Sequence, residues 1–305
     1  MISRTEKNKK TINKVEFENT FEKHKKIFLK IFKIVITIAI ILFSLVLYSR
    51  YIATSGIIVK EYSNTYETLP NEYHGLKIIH ISDIHYGNTT FKNQLNNMKN
   101  KINELKPDII IFTGDLVDKD FQYQDKDIND IVSILSKINS SIGKYATKGN
   151  QDTEIFEQIM QKSNFTLLNN NSDFIYKNTN TPIYINGIGS SIKNDNNIEK
   201  AFEKNNKDTF TITIMHEPDN IDEILEKYNV DLALAGHSHN GQVRLPFIGS
   251  IIKNQGAKKY DYEYYKINNT DLYISGGLGT STLPFRLFNR PSINLYRLRS
   301  NKTVN

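Results

Sequence analysis

Apolar residues are arranged along this chain in two ways. Over positions 34–48 they run unbroken as IVITIAIILFSLVLY, with no charge. After Leu76 they come in short bursts. The bursts at Leu76–Ile81, Ile109–Phe112, 183–188, 210–215, Leu232–Ala235, 272–275 and 293–298 have the length and composition of strands. Between them Phe91, Leu95, Met98, Ile102 and Leu105 recur at helical spacing, and Pro107 ends that helix. Ile128, Ile131, Val132, Leu135 and Ile138 predict a second helix. Ile155, Phe156, Ile159 and Met160 predict a third, and Ile221, Ile224, Leu225 and Tyr228 a fourth. Alternating strands and helices predict an α/β architecture with substantial sheet. Residues 51–73 are polar and tyrosine-rich and read as a connector, while 169–171 and 193–197 read as exposed turns.

The unbroken run needs its own account. With Ile31, Phe32 and a snorkelling Lys33 it reaches about 18 residues, close to the ~20 that cross a bilayer core. A cleaved signal peptide and a buried core helix share this pattern. The long basic tail and the lack of a clear small-x-small cleavage site favour an uncleaved anchor. Ten basic residues lie between Arg4 and Lys33, against four glutamates. The positive-inside rule then puts the N-terminus in the cytoplasm and the remainder outside it. The expected organisation is a basic cytoplasmic tail at 1–30, a transmembrane signal anchor at 31–50, a connector at 51–73 and one α/β domain at 74–300, held at the cell membrane.

Composition narrows the chemistry. The chain has 305 residues, 39% of them hydrophobic, and no cysteine. Disulfide frameworks, zinc ribbons and cysteine nucleophiles are excluded. The net charge of +6 is concentrated in the tail, so no nucleic-acid partner is expected.

Five short segments each begin where an apolar strand ends: Asp83-Ile84-His85, Gly114-Asp115-Leu116-Val117-Asp118, Gly149-Asn150-Gln151-Asp152, His216-Glu217 and Gly236-His237-Ser238-His239. Ligand sites in α/β sheets form at the carboxyl ends of strands. Loops converging there would gather aspartate, asparagine and histidine, donors suited to Mn, Fe, Zn or similar ions. Taken singly each segment has a bland reading as a turn, a helix cap or a packed histidine. Four of the seven histidines fall in these segments. His24, His74 and His80 are read as structural or surface residues.

This order of motifs resembles the calcineurin-like metallophosphoesterases over roughly residues 74–299. It is most similar to their membrane-associated bacterial branch, YkuE-like and related to UDP-2,3-diacylglucosamine pyrophosphatases. The resemblance implies a four-layer α/β/β/α sandwich of two mixed sheets, here preceded by one transmembrane helix. It implies two divalent metal ions, one held by Asp83, His85, Asp115 and His239. Asp115, Asn150, His216 and His237 would hold the other, with Asp115 bridging. It also implies hydrolysis of a phosphoester or pyrophosphate bond, with a phosphorylated lipid, glycolipid or envelope phosphodiester as the partner substrate.

The family writes Gly-Asn-His-Asp/Glu where this chain has Gln151. An amide donates a hydrogen bond but delivers no proton. A non-catalytic metal- or phosphate-binding surface protein is therefore the alternative. Asp115, Asn150, Gln151 and Asp152 are the expected catalytic set. Asp152 either caps the next helix or orients a neighbour. Arg244, and after it Arg286, are candidate phosphate contacts. The apolar stretch 283–288 forms a core edge or receives an acyl chain.

Overall fold

The computed structural model describes residues 4–206 and 208–301, so the first three residues of the expected tail lie outside the described residues. The chain divides into two units, Met1–Tyr48 and Ser49–Asn305. In the first, α1 (Arg4–Leu47) is one continuous helix, so the expected basic tail and apolar run belong to a single element. Within Glu16–Ile52 it is long and apolar enough to cross a membrane, and none of its apolar window is buried, which removes the core-helix reading.

The second unit holds two six-stranded sheets. Across the first the order is β1 (Ile58–Tyr66), β14 (Ser292–Ser300), β2 (Leu76–Ile81), β3 (Ile109–Phe112), β4 (Gly143–Ala146), β5 (Thr166–Leu167). Across the second it is β12 (Tyr264–Ile267), β13 (Thr270–Ile274), β9 (Leu232–Ala235), β8 (Thr211–Ile214), β7 (Ile183–Gly187), β6 (Asn171–Ile175). A small hairpin, β10 (Arg244–Leu245) with β11 (Gly249–Ser250), stands apart. Both sheets mix parallel and antiparallel pairs.

Strand alternation sorts side chains into three cores. Ile79, Ile81, Ile110 and Phe112 face α2 (Lys92–Leu105), α3 (Asp125–Leu135) and α4 (Glu154–Lys162). Leu76, Ile78, Ile109 and Ile111 meet Ile183, Ile185, Ile212, Ile214, Leu232 and Leu234 between the sheets. Ala233, Ala235, Leu272 and Ile274 face α5 (Ile198–Phe202) and α6 (Ile221–Lys227). The result is the expected α/β/β/α sandwich. His80 points into the middle core, where its Nε2 lies 2.8 Å from Thr113 Oγ1.

Three elements differ from expectation. The connector contains β1, which pairs in parallel with β14 from Ile58 opposite Ser292 to Tyr66 opposite Ser300. Its even alternation of exposed and half-buried positions shows no apolar burst, because an edge strand needs only one covered face. Asn170 is no exposed turn: it is buried and accepts N–H bonds from Gly189 (2.9 Å) and Asn197 (2.8 Å). Arg286 is no surface phosphate contact either. It is wholly buried and donates to the carbonyls of Gly279 and Asn289, bracing the loop that follows β13.

Candidate metal centre

β2, β3 and β4 run parallel in one sheet, and β8 and β9 run parallel in the other. All five point their carboxyl ends at one place, and the five segments singled out in the sequence are the loops that follow. Backbone bonds stitch those loops together. Asp83 N–H donates to Gly114 O (2.9 Å) and Gly236 N–H to His216 O (3.1 Å). Across the two sheets, His237 N–H donates to the Asp83 carboxylate at 3.1 Å.

The side chains form two clusters around two carboxylates. In one, His85 Nε2 and His239 Nε2 face each other at 3.1 Å. In the other, His216 Nε2 lies 3.1 Å from Asn150 Oδ1 and 3.3 Å from His237 Nδ1. Asp115 Oδ2 sits 3.3 Å from His216 Nε2 and 3.8 Å from His85 Nε2, within reach of both clusters. Asp83 Oδ1 is similarly placed, 3.3 Å from His239 Nε2 and 3.9 Å from His216 Nε2. Asp83, His85 and His239 together, and Asp83, Asp115 and His216 together, present donor atoms close enough to share one cation each. On distance alone Asp83 joins both groups, whereas Asp115 joins the second and lies 3.8 Å from His85 of the first.

The donor chemistry fits divalent ions. Every atom is an imidazole nitrogen or an amide or carboxylate oxygen. Two histidines have their tautomers fixed from behind: His216 donates through Nδ1 to Thr113 O (2.6 Å), and His237 through Nε2 to Gln255 O (2.6 Å). The opposite ring nitrogens then face the centre, as metal-ligating histidines require. The charges match too. Burial pushes the Asp83 carboxyl up, but the imidazoles of His239, His216 and His85 outweigh it and hold it well below the usual range. Burial likewise opposes ionisation of Asp115, yet His216 and His85 bring it down to about 2. Burial lowers His216 as well, but Asp115, Asp83 and Glu217 win and raise it well above 6.5.

The backbone carries strain at the same residues. Asp83 (φ 50°), His85 (43°), Asp115 (57°), His237 (66°) and His239 (50°) all adopt left-handed conformations. Each costs roughly 1–2 kcal/mol for a non-glycine residue, and such strain concentrates at functional sites. Gly149 permits a close approach of the two loops: a Cβ there would lie 2.2 Å from Asp115 Oδ1.

Asp152 does not cap the helix that follows, since Thr153 occupies that position. It is buried, and its carboxylate accepts N–H bonds from Asp115 (2.8 Å), Leu116 (2.9 Å) and Gly149 (2.8 Å), joining the β3 loop to the β4 loop. Gln151 donates its backbone N–H to Asp115 Oδ1 (2.8 Å). Its side chain accepts from Lys119 N–H (3.2 Å) and donates to Ser281 Oγ (3.3 Å). Arg244 Nη1 donates to the carbonyls of Asn240 (3.1 Å) and Asp261 (2.9 Å), with its guanidinium 4.8 Å above the Tyr262 ring.

Sequence reasoning missed some supporting groups. The carbonyls of Thr113 and Gln255 act through the backbone and leave no residue-type signal. Asp118 lies 3.7 Å from His85 Nδ1, and its place in Gly-Asp-x-x-Asp was the available cue.

The calcineurin-like phosphoesterase family matches residues 76–241 of the chain. YkuE of Bacillus subtilis, an uncharacterized metallophosphoesterase, is 31% identical over 258 residues, spanning 83% of this chain and 89% of that protein. A zebrafish (Danio rerio) transmembrane protein with a metallophosphoesterase domain is 24% identical over 74% of this chain and 54% of its own length. LpxG of Chlamydia muridarum, a UDP-2,3-diacylglucosamine pyrophosphatase, is 25% identical over 75% of this chain and 86% of its own.

Proposed function

Because the chain belongs to the calcineurin-like phosphoesterase family, we propose that it is a two-metal hydrolase of phosphoester or pyrophosphate bonds on a membrane lipid, glycolipid or envelope phosphodiester. The observation that carries this is the meeting of buried Asp83, His85, Asp115, His216, His237 and His239 with half-buried Asn150 from five strand ends. Asp83, His85, Asp115 and His239 would hold one ion; Asp115, Asn150, His216 and His237 would hold the other. When bound, such ions polarise phosphoryl oxygens and activate water for in-line attack.

The chain's own residues supply the rest. Asp152 keeps the Asp115 and Asn150 loops in register. Gln151 offers a phosphoryl or leaving oxygen an amide N–H but no proton. Arg244 contacts substrate phosphate through Nη2, since Nη1 is spent on backbone carbonyls. The apolar α1 helix and the likeness to LpxG support a lipid-linked substrate. The basic residues ahead of the span support an extracytoplasmic catalytic unit.

The purified full chain should hydrolyse bis-p-nitrophenyl phosphate when Mn²⁺ is present, and lose that activity to a chelator. Metal binding without turnover under Mn²⁺, Fe²⁺ or Zn²⁺ favours the non-catalytic binder instead.

Gln151 sets a finer expectation. Restoring an acid by Gln151→His should speed alkyl phosphodiesters by about 10²-fold, the low end of general-acid assistance, and barely change p-nitrophenyl esters, whose leaving group needs no proton. Rates across a series of leaving groups measure this. Equal leaving-group slopes for the two proteins would remove any role for position 151 in specificity.

A further inference from the structure

Apart from Arg244, the β10–β11 hairpin has no part in the chemistry above. At its turn Phe247, with φ 66°, is wholly exposed, and Ile248, Ile251 and Ile252 are each more than half exposed. Four large apolar side chains therefore crowd into a six-residue stretch. β10 is bound to the loop at 283–288: Arg244 N–H donates to Leu287 O (3.0 Å), and Gln242 Nε2 donates to the carbonyls of Leu283 (2.7 Å) and Phe285 (3.0 Å). That loop exposes Leu283 and Phe288 in turn. Together the two loops make an apolar rim of the sort that marks an interaction surface.

The nature of the occupant follows from what surrounds the rim. The chain enters this unit here: Arg286 N–H donates to Ser49 O (3.0 Å), and Ser49 lies two residues past the end of the membrane-length helix α1. The exposed side chains of Tyr51 and Ile52 come next. Between His239 and Tyr260 the sequence carries Arg244, Lys253, Lys258 and Lys259 and no acid; Lys253 pairs with Asp261 (3.3 Å) and Lys259 with Asp222 (2.7 Å), but both lysine side chains are at least half exposed and can turn to anionic headgroups. A cavity of about 70 Å³ is lined by Ser238 and His239 together with Val243, Ile252 and Leu283, so it joins the rim to the candidate metal centre.

We propose that the β10–β11 hairpin and the 283–288 loop insert into a lipid leaflet with anionic headgroups, so that an amphiphilic phosphate ester enters the cavity sideways from the membrane. The entry route rests on the hydrolase reading; the insertion does not.

The chain has no cysteine, so Ile248→Cys carries a single nitrobenzoxadiazole label. The full-length variant is placed in nanodiscs of phosphatidylglycerol and phosphatidylcholine, beside a Lys137→Cys control on the exposed surface of the unit. The label at 248 is expected to shift to the blue and to be quenched by spin-labelled acyl chains, with the control unchanged. Quenching should weaken in phosphatidylcholine alone; equal quenching there overturns the headgroup preference. A label at 248 that stays aqueous overturns insertion. Mn²⁺-dependent hydrolysis of bis-p-nitrophenyl phosphate by the same sample separates the two ideas, since an aqueous label with intact turnover removes insertion alone. An inserted label without turnover removes the hydrolase reading alone.

Discussion

Asp115→Asn is expected to lower Mn²⁺-dependent hydrolysis of bis-p-nitrophenyl phosphate by at least about 10³-fold, because several kcal/mol of metal-supplied stabilisation disappear. The substitution is isosteric. Its carbonyl can keep the bond from Gln151 N–H, so the loop has no reason to unfold. What changes is the atom facing His216 and His85, where an anionic oxygen becomes an uncharged amide. In the metal-free protein His216 and His85 outweigh burial and the repulsion from Asp83 and hold Asp115 ionised, so the uncharged variant should melt somewhat below wild type without metal. With Mn²⁺ the wild type should gain melting temperature, since a ligand that binds only the folded state stabilises it. The variant should not. Wild-type turnover in Asp115→Asn, or an undiminished metal-induced rise in melting temperature, would remove this residue from the centre.

Gly149→Ala is the second large effect, and it acts through packing. The added Cβ would lie 2.2 Å from Asp115 Oδ1 and 2.6 Å from Asp115 N. Neither atom belongs to a flexible side-chain end, because Asp115 Oδ1 is tied to Gln151 N–H and Asp115 N to Asp152. The β3 and β4 loops must therefore separate. Overpacking of this kind costs about 1–3 kcal/mol, equivalent to roughly 2–4 °C of melting temperature per kcal/mol in a domain of this size. Activity should fall about 100-fold or more, since the shift moves Asp115 and Asn150 together. Gly75→Ala is the comparison. Gly75 has a left-handed φ, 80°, but nothing lies within 4 Å of its added Cβ. That variant should lose about 1 kcal/mol of stability and no activity. Normal activity in Gly149→Ala would mean the loops are softer than their bonding implies.

Much of the centre was legible in the sequence for a physical reason. A parallel strand buried on both faces is written as an apolar burst, so the point where it ends is visible, and chemistry-bearing residues placed there stand out. Ile109–Phe112 followed by Thr-Gly-Asp shows this well. The parts that were not legible work through other atoms. Asp152 binds three backbone N–H groups, a contact that no residue pattern encodes. Arg286 resembled a free guanidinium in a loop, yet it is packed beneath the loop that follows β13. β1 stayed hidden because an edge strand spreads its apolar residues thinly. Its place was set by a partner at the far end of the chain.

That last pairing has a consequence for biosynthesis. β14 lies between β1 and β2, the first two strands to leave the ribosome. Neither can complete its ladder until residues 292–300 have emerged. The nascent domain must wait with its earliest strands open, a state in which bare edges invite wrong partners. Ribosome-bound chains halted before residue 292 should be far more open to proteases around Ile58–Tyr66 than chains released whole.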